Sequence, residues 1–310
     1  MKNKGWLVAG LVLAVSAQTA VAAEEASCQT ISFAEIGWTD TTVITSVARF
    51  LLERLDYQTA IERLSIPETF KQLASGELDV LMGNWMPSQK AELDQYRTSV
   101  DVIRANLQGA RYTLAVPRYT YEAGVKTVDD LAARQEEFGK VIYGVKDSSG
   151  SARIARMIAD NAYGLGHFTL EEKSEAVMIA TAKNFMVLKQ PVVFLAWEPH
   201  PMNTKLDLEY LAGADRYFGE NYGSSTVYTV ANGSLRRRCP NVGKLLENLS
   251  FTVAMENELM DQVLNQNVNP RRAARDWLKG HPEVLAAWMK GVTTRGGAPG
   301  MPVVENDLKR

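Results

Sequence analysis

Two α/β lobes with largely parallel sheets are what this sequence predicts, on three observations. Short β-like runs alternate with amphipathic stretches along the whole chain, the pattern of sheets covered by crossover helices. The 310 residues, less a short leader, exceed what one hydrophobic core usually serves. Two cysteines, Cys28 and Cys239, stand near the start and three quarters of the way along. If they pair, both ends of the chain belong to one lobe and the middle forms the other.

The elements follow in order. Lys2 and Lys4 precede an apolar run from Trp6 to Val15 and small residues ending Ala20-Val21-Ala22-Ala23, which predicts a cleaved secretory signal peptide over residues 1–23. The run is shorter than the roughly 20 apolar residues of a membrane span. Ile31 to Ile36 alternates as a strand and stops at Gly37-Trp38-Thr39-Asp40; Val43, Val47, Phe50, Leu51 and Leu55 then recur at helical spacing behind N-cap candidates Thr39, Asp40 and Thr41. A short helix is expected over 69–74, a buried strand at Val80-Leu81-Met82 ending in Gly83-Asn84-Trp85-Met86-Pro87, and another strand at Tyr112 to Pro117.

A second α/β block opens with the strand Val141 to Val145 and the turn Lys146-Asp147-Ser148-Ser149-Gly150-Ser151, which leads into a helix through Ile154, Met157 and Ile158. The strand Val192 to Ala196 delivers Trp197 at its end, where Glu198-Pro199-His200-Pro201 breaks the chain. A strand over 225–230 and helices over 242–249, 257–264, 270–278 and 282–289 complete the pattern, with a Gly/Pro-rich tail from Gly296 expected to be mobile. Residues 24–114 and 213–310 are assigned to a discontinuous lobe I and 115–212 to lobe II, with crossovers near 113–117 and 210–216.

Composition excludes several functions. A net charge of -2 from 34 basic and 36 acidic residues gives no nucleic-acid surface, and the one dense basic run, Arg236-Arg237-Arg238, reads as a solvated turn. His167, His200 and His281 have no metal-ligand spacing, and there is no nucleophile elbow, zinc-protease helix or phosphate loop. No enzyme, metal or cofactor is therefore expected. In an oxidising compartment the even cysteine count predicts one disulfide closing a loop of about 210 residues, with a gain of roughly 5 kcal/mol in the chain-entropy account.

Trp38, Trp85 and Trp197 all fall at the carboxyl ends of predicted strands, the edge where open α/β sheets bind ligands. Trp277 and Trp288, by contrast, sit in helical apolar stripes and read as packing. Several aromatic faces around one pocket suit a quaternary ammonium group, which has no N–H to donate and a diffuse charge that ring quadrupoles attract.

The stretches Gly37-Trp38-Thr39-Asp40, Gly83-Asn84-Trp85-Met86-Pro87, Gly109 to Pro117, Phe194 to Asn203 and Cys239 to Leu246 together resemble the periplasmic choline-binding proteins of ABC importers, within the glycine betaine/choline/carnitine substrate-binding group. The resemblance implies the type II periplasmic binding protein fold and an aromatic box at Trp38, Trp85, Tyr112 and Trp197. It also implies that Asp40 receives a choline hydroxyl, and that Cys28 pairs with Cys239. One departure concerns the turn after Val145, where choline binders place an Asn and this chain has Ser149 nearest. A Ser-rich helix start suits the carboxylate of carnitine or betaine through N–H groups and hydroxyls, whereas Asp40 suits an alcohol. The reading is thus a monomeric periplasmic receptor that binds choline and hands it to a membrane permease, with carnitine or glycine betaine as the alternative ligands and a choline-metabolising enzyme as a more distant alternative.

Overall fold

A computed structural model describes residues 23–310; the expected signal peptide lies outside the described residues apart from Ala23. Among the described residues nine strands form one mixed sheet: β1 Thr30–Glu35, β2 Gln58–Arg63, β3 Val80–Met86, β4 Val100–Pro117, β5 Val141–Val145, β6 Thr169–Lys173, β7 Val193–Glu198, β8 Leu208–Tyr210 and β9 Ser224–Asn232. Their order is β2-β1-β3-β9-β4-β7-β5-β6, with β8 also against β4.

The expectation of largely parallel sheets holds at the two ends and fails in the middle. The pairs β1–β2, β1–β3, β5–β6 and β5–β7 are parallel, whereas β9 runs antiparallel to β3 and β4, and β4 antiparallel to β7 and β8. The cause is β4, an 18-residue strand of which only the last six residues are legible as β pattern. It passes from one end block to the other without a crossover helix, and its neighbours return alongside it. On one side β9 pairs with β4 as far as Arg111, and β8 takes over from Ala115; on the other side β7 pairs from Arg111 to Ala115. The strand therefore changes company at Arg111–Tyr112.

Close approaches fix how each helix starts. A Cβ on Gly83 of β3 would lie 2.1 Å from the Thr41 hydroxyl, and one on Gly144 of β5 would lie 2.3 Å from the Ser151 hydroxyl. In both end blocks a strand glycine thus lets the first turn of a helix, Thr39–Arg54 or Ser149–Ala159, rest on the sheet. Helix Thr39–Arg54 buries Val43, Ile44, Val47, Leu51 and Leu52, and packs on helices Val253–Leu264 and Pro270–Gly280. Trp277 and Trp288 stack at 6.0 Å within the helical layer, in the packing role their spacing predicts.

Three local expectations need correction. The cap of helix Thr39–Arg54 is Trp38, which makes no side-chain cap bond, so Thr39, Asp40 and Thr41 lie inside the first turn. Gly83, Asn84 and Trp85 are strand residues of β3, not a turn after it. The tail from Gly296 is anchored: helix Gly300–Leu308 buries Val304 and Leu308, and Arg54 pairs with Asp307 at 3.2 Å. Gly and Pro read as mobility in sequence, but here they start a helix whose Gly300 lies close against Leu55 and Met289.

The Cys28–Cys239 disulfide spans 211 positions and ties the turn Ala26–Cys28 to the start of helix Pro240–Asn248. The double variant Cys28→Ser/Cys239→Ser is expected to lose about 2–5 kcal/mol of unfolding free energy. Denaturant titration checks this, and an unchanged midpoint would mean the two segments are held together without the covalent bond.

Candidate functional site

The sequence-predicted rings meet. Trp38, Trp85, Tyr112 and Trp197 line one cavity together with Ser149, and the remaining wall comes from Ser88, Val145, Ser148, Gly150, Glu175 and Leu195. The space between these residues, open solvent at its mouth included, is about 460 Å³.

Each ring is delivered by a different element. Trp38 caps its helix after Gly37, whose φ of +85° turns the chain off β1. Trp85 projects from β3, Tyr112 from the point where β4 changes partners, and Trp197 from β7. Tyr112 and Trp197 are register partners across the antiparallel β4–β7 pair, so they share a sheet face. Trp38 and Trp85 meet at 79° with centroids 6.3 Å apart, and Trp85 and Tyr112 at 77° and 6.1 Å. Successive near-right angles make adjoining walls, where a parallel stack would leave no interior.

Polar groups hold the rings from behind. The Trp85 indole N–H donates to Asp40 Oδ2 at 2.9 Å. The Tyr112 hydroxyl shares a 2.5 Å bond with Ser88 Oγ, and its ring meets Phe218 edge to face at 5.4 Å. The Trp197 carbonyl accepts from Asn203 Nδ2 at 2.7 Å, and Asn203 in turn accepts from the Tyr210 hydroxyl at 2.8 Å. His200 packs against the Trp197 ring with centroids 4.9 Å apart.

Asp40 stands one layer outside the wall, buried behind Trp85. Its carboxylate thus supports a ring in this conformation. Burial pushes it from 3.8 up to about 7 against the pull of the indole N–H, and the charge of Glu175 pushes the same way. Behind it lies a second buried carboxyl, Glu256, raised well above the usual range by burial and by Asp40, with Oε1 unpartnered. Nothing in the helical spacing of Val253 to Leu264 marks Glu256, because its burial depends on which face of that helix meets Thr39–Arg54.

Ser149 opens helix Ser149–Ala159. Ser148 and Ser151 spend their hydroxyls on the Val145 carbonyl, both at 2.7 Å, whereas the buried Ser149 Oγ has no partner and borders the cavity. Glu175 escaped the sequence reading; its only signal was a carboxylate directly after Ser174 at a helix start. Among the described residues, Glu24, Cys28 and Cys239 bring one carboxylate and two sulfurs together, but those sulfurs are joined to each other.

Two predictions follow from this geometry. A native carboxyl that titrates near 7, against 3.8 when exposed, holds an extra proton between those values, so its contribution to stability is full below the lower one and is lost as pH rises through the upper one. Asp40→Asn should therefore flatten the fall in stability of ligand-free protein across that window, read from denaturation midpoints; an unaltered slope would assign the fall elsewhere. The second concerns Gly150, where a Cβ would lie 2.6 Å from Leu195 Cδ2 and 3.3 Å from Tyr112 Cε2. Gly150→Ala should fill the cavity from within and weaken any cavity ligand at least about tenfold, with folding stability falling by about 1–3 kcal/mol as Leu195 gives way.

Comparison with known proteins agrees with this geometry. The family model for the substrate binding domain of ABC-type glycine betaine transport systems matches residues 29–280. An ABC-transporter choline binding protein in complex with choline is 42% identical, with a TM-score of 0.87 over 92% of this chain and 100% of that one. An ABC-transporter choline binding protein in an unliganded semi-closed conformation is 41% identical, with a TM-score of 0.83 over the same shares. The glycine betaine/carnitine transport binding protein GbuC of Listeria monocytogenes is 30% identical over 159 residues, 51% of this chain and 51% of that protein. The fold is that of type II periplasmic binding proteins, and the family is one of binding proteins, not of enzymes. By the extent of these matches the chain belongs to the extracytoplasmic substrate-binding family of ABC-type glycine betaine transport systems.

Proposed function

We propose that this protein is the periplasmic receptor of an ABC importer and binds choline with its trimethylammonium group among Trp38, Trp85, Tyr112 and Trp197. The observation that carries the reading is a single cavity walled by three indoles and a phenol, of which Trp38, Trp85 and Tyr112 meet in turn at near-right angles. Neutral ring faces attract a diffuse cation and cover its methyl groups without asking for an N–H donor. Each contact contributes about 0.5–2 kcal/mol, more where water is excluded. The 42% identity to a choline binding protein along nearly the whole chain supports the choice of alcohol head group.

In this reading Ser149 Oγ, buried and unpartnered, meets the ligand's polar end, and Asp40 either receives the hydroxyl or holds Trp85 in place. Lobe I (24–114 and 213–310) and lobe II (115–212) close like a hinge near 113–117 and 210–216, and the permease recognises the closed form. The relative named for glycine betaine and carnitine, together with the free serine hydroxyl at a helix start, favours a second reading in which a betaine carboxylate sits at Ser149.

Calorimetry with choline, carnitine, glycine betaine and acetylcholine separates the two readings. Choline should bind with the highest affinity, and a preference for glycine betaine would select the second. Trp197→Ala should weaken every quaternary ligand by about 1–2 kcal/mol, five- to thirtyfold, with the melting temperature little changed. Unaltered affinity would remove the ring from the site.

A further inference from the structure

The cavity wall carries one charged side chain, Glu175. Among the described residues no lysine or arginine pairs with it; its one hydrogen-bond partner is His200, whose Nε2 lies 3.1 Å from Glu175 Oε1. The direction of that bond is settled on the other side of the ring. His200 Nδ1 accepts the backbone N–H of Met202 at 2.9 Å, and a backbone amide only donates. Nδ1 therefore carries no proton, and the proton on Nε2 is donated to Glu175. His200 is itself buried and set edge to face against Trp197, so the carboxylate is held at the wall by a fixed, uncharged donor. The bond orients the negative charge without neutralising it.

The approach to the cavity has the same sign. The cleft that continues outward from Trp38, Ser88, Ser148 and Ser149 is lined by Glu92, Asp147 and Glu172, with no lysine or arginine among its lining residues. A quaternary ammonium alcohol entering here brings one positive charge to an unpaired carboxylate. A quaternary ammonium carboxylate brings its anion into the same poorly hydrated space, where like charges are costly.

We infer that Glu175, oriented by His200, is the specificity-determining residue that admits quaternary amines lacking an anionic group and refuses those bearing a carboxylate. This rests on the proposed quaternary-ammonium reading of the cavity and narrows its ligand class. Glu175 sets the choice; His200 acts through it as a positioning residue.

The test is a ratio of affinities, because choline and glycine betaine share the same trimethylammonium group. General damage to the cage weakens both alike and leaves the ratio where it was. By calorimetry, Glu175→Gln, which keeps the oxygen that accepts from His200, should lower the choline-to-glycine-betaine affinity ratio by about thirtyfold or more, with glycine betaine gaining. Glu175→Asp, which keeps the charge, should retain most of the discrimination. A ratio unmoved in Glu175→Gln overturns the inference, as does equal weakening of both ligands. The unaltered protein supplies an independent arm. Glycine betaine methyl ester, which carries no anion, should bind at least about tenfold more tightly than glycine betaine, and equal affinities would overturn the inference without any variant. If the unaltered protein binds no quaternary amine, the cavity reading itself fails; if it binds choline and the ratios do not move, only the role of Glu175 fails.

Discussion

Ring faces attract a cation only while they stay turned toward it, and a ring face cannot hydrogen-bond itself into place. The constraint on this cavity is therefore that its aromatic walls must be fixed by other groups, bonded or packed away from the ring faces. Asp40 holds Trp85 through its indole N–H, Ser88 and Phe218 hold Tyr112, and Asn203 holds the backbone of Trp197. Gly223 adds a steric fix, since any Cβ there would lie 2.1 Å from the Tyr112 carbonyl oxygen. These supports come from distant parts of the chain, so the cavity exists only when both end blocks of the sheet are formed and joined.

The supports have an electrostatic consequence. Asp40 and Glu256 are buried carboxyls within reach of each other's field, and Glu175 adds a third acidic group at the wall. Burying acids without cationic partners is unfavourable. Asp40 and Glu256 answer this by holding their protons to higher pH, which leaves Glu175 as the charged side chain on an otherwise neutral wall. A negative group among neutral ring faces favours a positively charged occupant.

The architecture turns on β4. Its first part belongs to the β9 side of the sheet and its last part to the β7 and β8 side, and Tyr112 lies where the two regimes meet. A ring at that junction is shared between the blocks: it meets Trp85 from one and stands opposite Trp197 of the other in the β4–β7 register.

Much was legible in the residues alone. Strand-end tryptophans and the alternation of β and helical patterns pointed to an α/β sheet with aromatics at its carboxyl edge, because periodicity and loop position are local properties of the chain. The shared β4 strand, the antiparallel centre of the sheet and the anchored helix Gly300–Leu308 were not legible, since each depends on a partner far away in sequence. Glu175 and Glu256 show the limit most clearly. One looks like any acid at a helix start and the other like any acid on a helix, and only tertiary packing puts the first on the cavity wall and buries the second beside Asp40. Sequence by itself determined which rings and elements were available; the tertiary structure decided which charges face them, because an electrostatic field depends on distance through space and not on distance along the chain.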